Sequence, residues 1–275
     1  MRRVLFLILS LLPLSSVRSG DPTSAAPPDI IHTQWWSHSE HIYRRVDIYV
    51  PSACRASSGQ RYPVLYLIHG INGYEGSWQD MGFAVDTLER QIAEGRCQPV
   101  LLVMPDCNKW PYKERPDHHG NLWRCIFHYG KLSREHDIEC AISDLIDMVD
   151  TTYAVSSDCA IAGLSDGARM SANVANKRPD RIRHIGLFSP VLRKEQLPRD
   201  TTQEVILFAG KKDMFFHNGE RFNRRLNKAG QPHRFIVLNG SHNWRMWRQC
   251  LSQFLEQWAG GPNSRSDSES HRTSF

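Results

Sequence analysis

Ser165, Asp213 and His242 are the residues of this sequence whose types and order could together carry out nucleophilic catalysis. Ser165 lies in Gly163-Leu164-Ser165-Asp166-Gly167, after the apolar run 159–162 and before a segment of helical character. That is a G-x-S-x-G turn in the strand–turn–helix context it requires. Such a turn strains the serine and admits only small neighbours, which accounts for Gly163, Gly167 and Ala168. It lifts the hydroxyl above a sheet edge, where the following helix points its free N–H groups and positive end.

A serine hydroxyl is a weak nucleophile at neutral pH. It needs a base within hydrogen-bond reach and a carboxylate to hold that base in one tautomer. In hydrolases with this turn the partners follow in the order Ser, acid, His. The apolar run 205–209 ends in Gly210-Lys211-Lys212-Asp213, and the run 235–238 ends in Asn239-Gly240-Ser241-His242. Each group therefore sits just past a strand end. A loop aspartate or histidine alone is usually ordinary surface; the order and placement of all three carry the reading. Asp106, after an earlier strand, is the second candidate for the acid. His118, His119, His128 and His136 precede the nucleophile and would break the order, and His217 falls where a helix begins. A tetrahedral intermediate also needs donors for its oxyanion. The elbow supplies the Asp166 N–H, and the loop His69-Gly70-Ile71-Asn72-Gly73 points to the Ile71 N–H, with His69 as a brace.

The elements that must position these groups alternate. Residues 30–36 and 41–50 read as strands, the second with clear alternation, and 52–61 as a turn-rich link. The continuous apolar run 62–68 suits a parallel strand buried on both faces, and 99–104 is the next such strand. Helices are expected at 83–94, 133–153, from the elbow to 177, at 217–229 and at 243–258. Strands are expected at 182–189, 204–209 and 234–238. The pattern predicts a single α/β domain with a mostly parallel sheet covered by helices on both faces. The long loop 105–134 carries Trp110, Tyr112, His118, His119, Trp123, Phe127 and Tyr129, and reads either as a pocket wall or as surface packing.

The stretches HGINGYEGSW, GLSDGA, GKKD and NGSHNWRMWRQCLSQFL together resemble the putative-esterase group of α/β-hydrolases. That group includes S-formylglutathione hydrolase (esterase D), feruloyl and acetylxylan esterases, and mycolyltransferases. The resemblance spans about residues 40 to 258, apart from the loop at 107–134. It implies an α/β-hydrolase fold, with Ser165 as nucleophile, Asp213 as acid, His242 as base, and Ile71 and Asp166 as oxyanion donors. It also implies that Trp78 and Trp244 stand at the pocket, as substrate-binding residues, or in its supporting shell, with core packing the alternative for each. Two positions depart from the pattern. Asp166 replaces the uncharged residue that relatives usually carry after the nucleophile, and Ala168 replaces a usual glycine. A carboxylate at 166 hinders catalysis unless it turns away or meets a cation.

The activity so implied is hydrolysis of a carboxylic ester, on a small molecule or a glycan, with no metal or organic cofactor. Acyl transfer to another alcohol and a non-catalytic binding role are the alternatives. Arg2 and Arg3 precede an apolar run at 4–14, and small polar residues lead to a cleavage point near Ser19 or Gly20. Residues 1–20 thus read as a signal peptide, 21–259 as the catalytic domain and 260–275 as a polar, disordered tail. The run is shorter than the roughly 20 residues of a membrane span, and an uncleaved anchor is the alternative to export. The expected location is secreted or periplasmic, with no stable membrane insertion after cleavage.

Removing Arg2, Arg3 and Arg18 lowers the formal net charge from +5 to +2, so the basic balance does not point to nucleic acid. The seven cysteines of an exported chain favour disulfides with one thiol left over. Cys107 and Cys125 flank one loop and are a candidate pair; Cys159, beneath the elbow, is the candidate unpaired thiol. No cysteine or histidine spacing reads as a zinc site.

Overall fold

Apolar runs bounded by turn residues become the strands, and in the computed structural model, which describes residues 29–56, 59–108 and 135–261, they assemble into one sheet. The strands are β1 (Ile30–Ser37), β2 (Ile42–Tyr49), β3 (Tyr62–Ile68), β4 (Leu101–Pro105), β5 (Val155–Leu164), β6 (His184–Phe188), β7 (Glu204–Gly210) and β8 (His233–Leu238). Their order across the eight-stranded sheet is β1-β2-β4-β3-β5-β6-β7-β8. β1 and β2 form an antiparallel hairpin, and β2 joins β4 antiparallel. Every later pairing is parallel. This is the mostly parallel sheet that the alternation predicted, as in the α/β-hydrolase fold that the resemblance implied.

The helices are α1 (Ser52–Ala56), α2 (Ser77–Asp80), α3 (Ala84–Ala93), α4 (Glu135–Thr152), α5 (Asp166–Lys177), α6 (Phe216–Lys228) and α7 (Trp244–Trp258). They cover both faces. In β3, Val64, Tyr66 and Ile68 point into a core shared with α4, α5 and α6, through residues such as Ile142, Val174 and Phe222. Leu65 and Leu67 point to the other face, where α3 and α7 supply Leu88, Leu251 and Phe254. The period of two along a strand makes this division, and it explains why β3 and β4 are apolar at every position. A fully buried leucine contributes roughly 1.5–3 kcal/mol. The site's strands are thus held on two sides.

Several boundaries differ from the sequence reading. β5 begins at Val155, four residues before the apolar run, because Tyr62 already pairs with Val155 at the foot of β3. The turn-rich link contains α1, and α2 and the 3-10 turn Lys194–Gln196 were not anticipated, being too short to show a period. Pairing also runs past the expected domain boundary at 259: Gly260 bridges to Cys97, and the Gly261 N–H donates to the Arg96 carbonyl at 3.0 Å.

The disulfide expectation is not met among the described residues. Cys54, Cys97, Cys107, Cys140, Cys159 and Cys250 are all free thiols. Cys107 packs in the core instead of bridging, and Cys125 lies outside the described residues. Cys159 is buried and unpaired under the elbow, as expected. Residues 1–28, most of the aromatic loop (109–134) and 262–275 also lie outside the described residues, so the leader, the loop's role and the tail are expectations only. Among the described residues no helix is long and apolar enough to cross a membrane.

Candidate active site

β5, β6, β7 and β8 run parallel in one half of the sheet, so the loops after β5, β7 and β8 emerge at one edge. Ser165 caps the end of β5 with φ 53° and ψ −118°, a conformation that side chains rarely adopt. It is held there by its N–H, which donates to the Phe188 carbonyl at the end of β6 (2.9 Å). The elbow is also too crowded for larger neighbours. A Cβ at Gly163 would collide with the Gly167 carbonyl, and one at Gly167 with the carbonyls of Ile68 and His69. The strain at Ser165 is therefore imposed by packing on three sides.

The loops after β7 and β8 are laced together by backbone. The Lys211 N–H donates to the Leu238 carbonyl (2.8 Å) and the Lys212 N–H to the Gly240 carbonyl (3.0 Å). This brings Asp213 and His242 side by side. His242 Nε2 lies 3.0 Å from Ser165 Oγ, and its Nδ1 lies 3.0 Å from Asp213 Oδ2. The Asp213 side chain is 1 % exposed and that of His242 17 %. Phe215 and Trp247 each meet the imidazole edge-on, with ring centroids 5.0 Å away. The ring can thus tilt little without losing both contacts.

Asp213 stays ionised despite its burial. Desolvation raises its pKa, but hydrogen bonds from His242, the Phe215 N–H and Ser189 outweigh this and leave it below the usual aspartate value. The Phe215 N–H reaches Asp213 Oδ1 at 2.8 Å. Ser189 is a buried residue with φ 50° at the end of β6, and its hydroxyl also accepts from Trp247 Nε1 (3.1 Å). The arrangement can pull a proton from Ser165 and hold the resulting imidazolium beside a carboxylate.

Asp106, the second candidate acid, is elsewhere. It accepts from the Asn108 N–H and amide (3.1 Å each) in the loop after β4, with His69 Nε2 3.7 Å away. His69 itself is a brace. Its Nδ1–H donates to the Gly70 carbonyl (2.8 Å) and its Nε2 accepts from the Cys107 N–H (2.9 Å), which uses both ring nitrogens. The Asn108 amide donates to the Gly73 carbonyl at the other end of the same loop. Arg44, buried and paired with Glu40, donates to the carbonyls of Asp106 and Asn108 from beneath. The loop 69–73 is thereby pinned beside the elbow: a Cβ at Gly70 would stand 3.5 Å from Ser165 Cβ. Ile71 lines the same cavity as Ser165, and Asp166 is the first residue of α5, where the N–H groups lack intrahelical partners. His217 is a surface residue 2.8 Å from Glu220. His118, His119 and His128 lie outside the described residues, as does the side chain of His136.

A cavity of about 420 Å³ opens over Ser165 and His242, walled by Ile71, Met81, Met214, Phe215, Trp244 and Trp247. A larger one of about 550 Å³ involves Val155, Arg181 and Asp150. It sits at the foot of β5, about 30 Å along the strand from the elbow, and has no part in this chemistry. Trp244 reaches the cavity; Trp78 does not. Trp78 is 1 % exposed and stands behind Trp244, edge-on at 5.3 Å, with Phe188 on its other side. Of the places the sequence left open for Trp78, it takes the supporting, core-packed one, because the turn at 77–82 folds it inward under Gly82. Met81, Met214, Phe215, Trp247 and Ser189 were not singled out in sequence. Only Trp247, one helical turn after Trp244, carried a signal that could have marked it. Among the described residues no group of three His, Cys, Asp or Glu side chains could hold a metal ion.

The profile of the family described as "Putative esterase" matches residues 37–257. The chain belongs to this esterase family. An endo-1,4-beta-xylanase/feruloyl esterase of Xylanibacter ruminicola is 27 % identical to this family member over 238 residues, which is 83 % of the chain and 31 % of that relative. The chain therefore spans about a third of that relative's length. The structure of a ferulic acid esterase from Anaeromyces mucronatus superposes with TM-score 0.68 at 18 % identity, covering 87 % of this chain and 93 % of the other. An S-formylglutathione hydrolase from Staphylococcus aureus gives TM-score 0.66 at 15 % identity, covering 87 % and 100 %. At these identities the two structures establish that this family member shares their fold.

Proposed function

We propose that this enzyme of the esterase family is a secreted or periplasmic serine carboxylesterase that works through an acyl-enzyme. The observation that carries the reading is the unbroken chain from Asp213 through His242 to Ser165, each link 3.0 Å. His242 Nε2 takes the Ser165 proton as Oγ attacks the ester carbonyl, and the carbonyl electron pair moves onto oxygen. The Ile71 and Asp166 N–H groups receive that oxyanion. When the intermediate collapses, the alkoxide leaves with the proton from His242. Water then gives a proton to His242, attacks the acyl carbon, and Ser165 departs with the proton restored. Asp213 stays ionised throughout and holds Nδ1–H in place.

The apolar, partly aromatic cavity favours an acyl group of the same character, with Trp244 and Trp247 flanking it. The names of the relatives support an aromatic acyl ester, small or glycan-linked, and the leader pattern supports export. A fluorophosphonate probe and a panel of p-nitrophenyl, feruloyl and acetylated-sugar esters test the proposal. Labelling of Ser165 and turnover of aryl-acyl esters, both lost in Ser165→Ala, are the expected results. A Ser165 that neither labels nor turns over any ester would overturn the assignment.

A further inference from the structure

Asp166 places a carboxylate one residue after the nucleophile, at the first position of α5. There it suits the helix, whose N-terminus favours an anion. It does not suit the chemistry, because a second negative charge develops on the substrate oxygen at the same helix end. Arg169 sits one turn further along, and its Nε donates to Asp166 Oδ1 at 2.9 Å. Both side chains are partly sheltered, at 18 % for Arg169 and 24 % for Asp166. An i,i+3 pair draws the carboxylate along the flank of the helix, back from the end that faces the oxyanion.

We propose that Arg169 is a positioning residue for catalysis. It neutralises Asp166 and turns it away, so that the Asp166 N–H can serve the oxyanion without its side chain opposing it. This rests on the serine-esterase reading above. It explains how the chain tolerates an acidic residue directly after the nucleophile: the cation is part of the same helix, supplied by the same turn. A bound ester that excludes water from the cleft strengthens both the repulsion and its cancellation.

The test is a double-mutant cycle on the full chain, reading kcat, KM, the rate of fluorophosphonate labelling and Tm. Arg169→Gln is expected to lower kcat and the labelling rate by roughly tenfold or more, as coupled charges at contact do. KM should change less than about threefold, since the repulsion grows in the transition state and not on binding. In the Asp166→Asn background the same Arg169→Gln change should cost less than about threefold, and Arg169→Lys should recover part of the loss in the wild-type background. A fall of the same size in both backgrounds, or no fall in either, overturns the inference while leaving labelled wild type as an esterase. A wild type that does not label at all removes the esterase reading and this inference with it.

Discussion

Replacing Asp213 by asparagine isolates the electrostatic heart of the proposed mechanism with almost no change in shape. The carboxylate accepts on both oxygens, from the Phe215 N–H at Oδ1 (2.8 Å) and from His242 Nδ1 at Oδ2 (3.0 Å). An amide has only one acceptor oxygen. The Phe215 donor is fixed in the backbone and its ring is packed against His242, so the amide oxygen takes the Oδ1 position. The NH₂ group then faces Nδ1, which must accept, and the imidazole proton moves to Nε2. In that tautomer Nε2 can no longer take the proton of Ser165. A triad trapped in the wrong tautomer loses about 10⁴ in kcat, or about 5.4 kcal/mol of barrier. KM should hold, because the cavity walls are untouched. The assay is steady-state hydrolysis of a p-nitrophenyl ester with the labelling rate beside it. A variant within tenfold of wild type would show that Asp213 does not orient the base.

The same substitution has a pH signature in stability. The folded pKa of Asp213 is depressed, so its contribution is present above the unfolded value, about 3.9, and is lost as pH falls through the lower folded value. The Tm gap between wild type and Asp213→Asn should therefore close as pH falls below about 4. A gap that stays fully open down to about pH 2 would contradict the depressed value.

Three further outcomes follow from the supports of the site. His69→Ala frees the loop that carries Ile71, and kcat should fall roughly 10²-fold with KM little changed, as for loss of one oxyanion donor; wild-type kcat would show that Asn108 and Arg44 suffice. Gly167→Ala drives a Cβ into the His69 carbonyl and should cost about 2 kcal/mol or more, lowering Tm by roughly 4–8 °C in a thermal melt. Thiol titration in denaturant without reductant should find at least six reactive cysteines; fewer would mean that a bridge forms among those that are free here.

What could be read in the sequence was whatever a short stretch determines by itself. The elbow is set by Gly163 and Gly167 within five residues, and the strands that carry Asp213 and His242 announce themselves by apolar runs ending in polar turns. The βα alternation then makes the sheet mostly parallel, so the loops after its strands share one edge and the three tips could be expected to meet. The cysteines could not be read this way. Their number beside a leader-like N-terminal pattern suggested bridges, yet Cys107 is in one core and Cys97 and Cys250 are in the other, and spacing along the chain says nothing of that.

The two tryptophans show where the limit lies. Trp78 and Trp244 carry the same signal in sequence, an aromatic residue close to a catalytic loop, and one lines the cavity while the other is sealed behind it. The difference is made by the chain between them. Gly82 permits a close approach of the 77–82 turn to both rings, so that Trp78 must stand edge-on against Trp244 and Phe188. Trp78 therefore fixes the wall that Trp244 presents to the cavity. Phe215 and Trp247 work in the same way on His242, and Ser189 on Asp213: each removes a freedom that the proposed proton transfer cannot tolerate. Such residues are defined by their contacts across the sheet edge and not by neighbours along the chain. The chemistry of this site is thus written in short motifs, while its precision depends on packing between elements far apart in sequence.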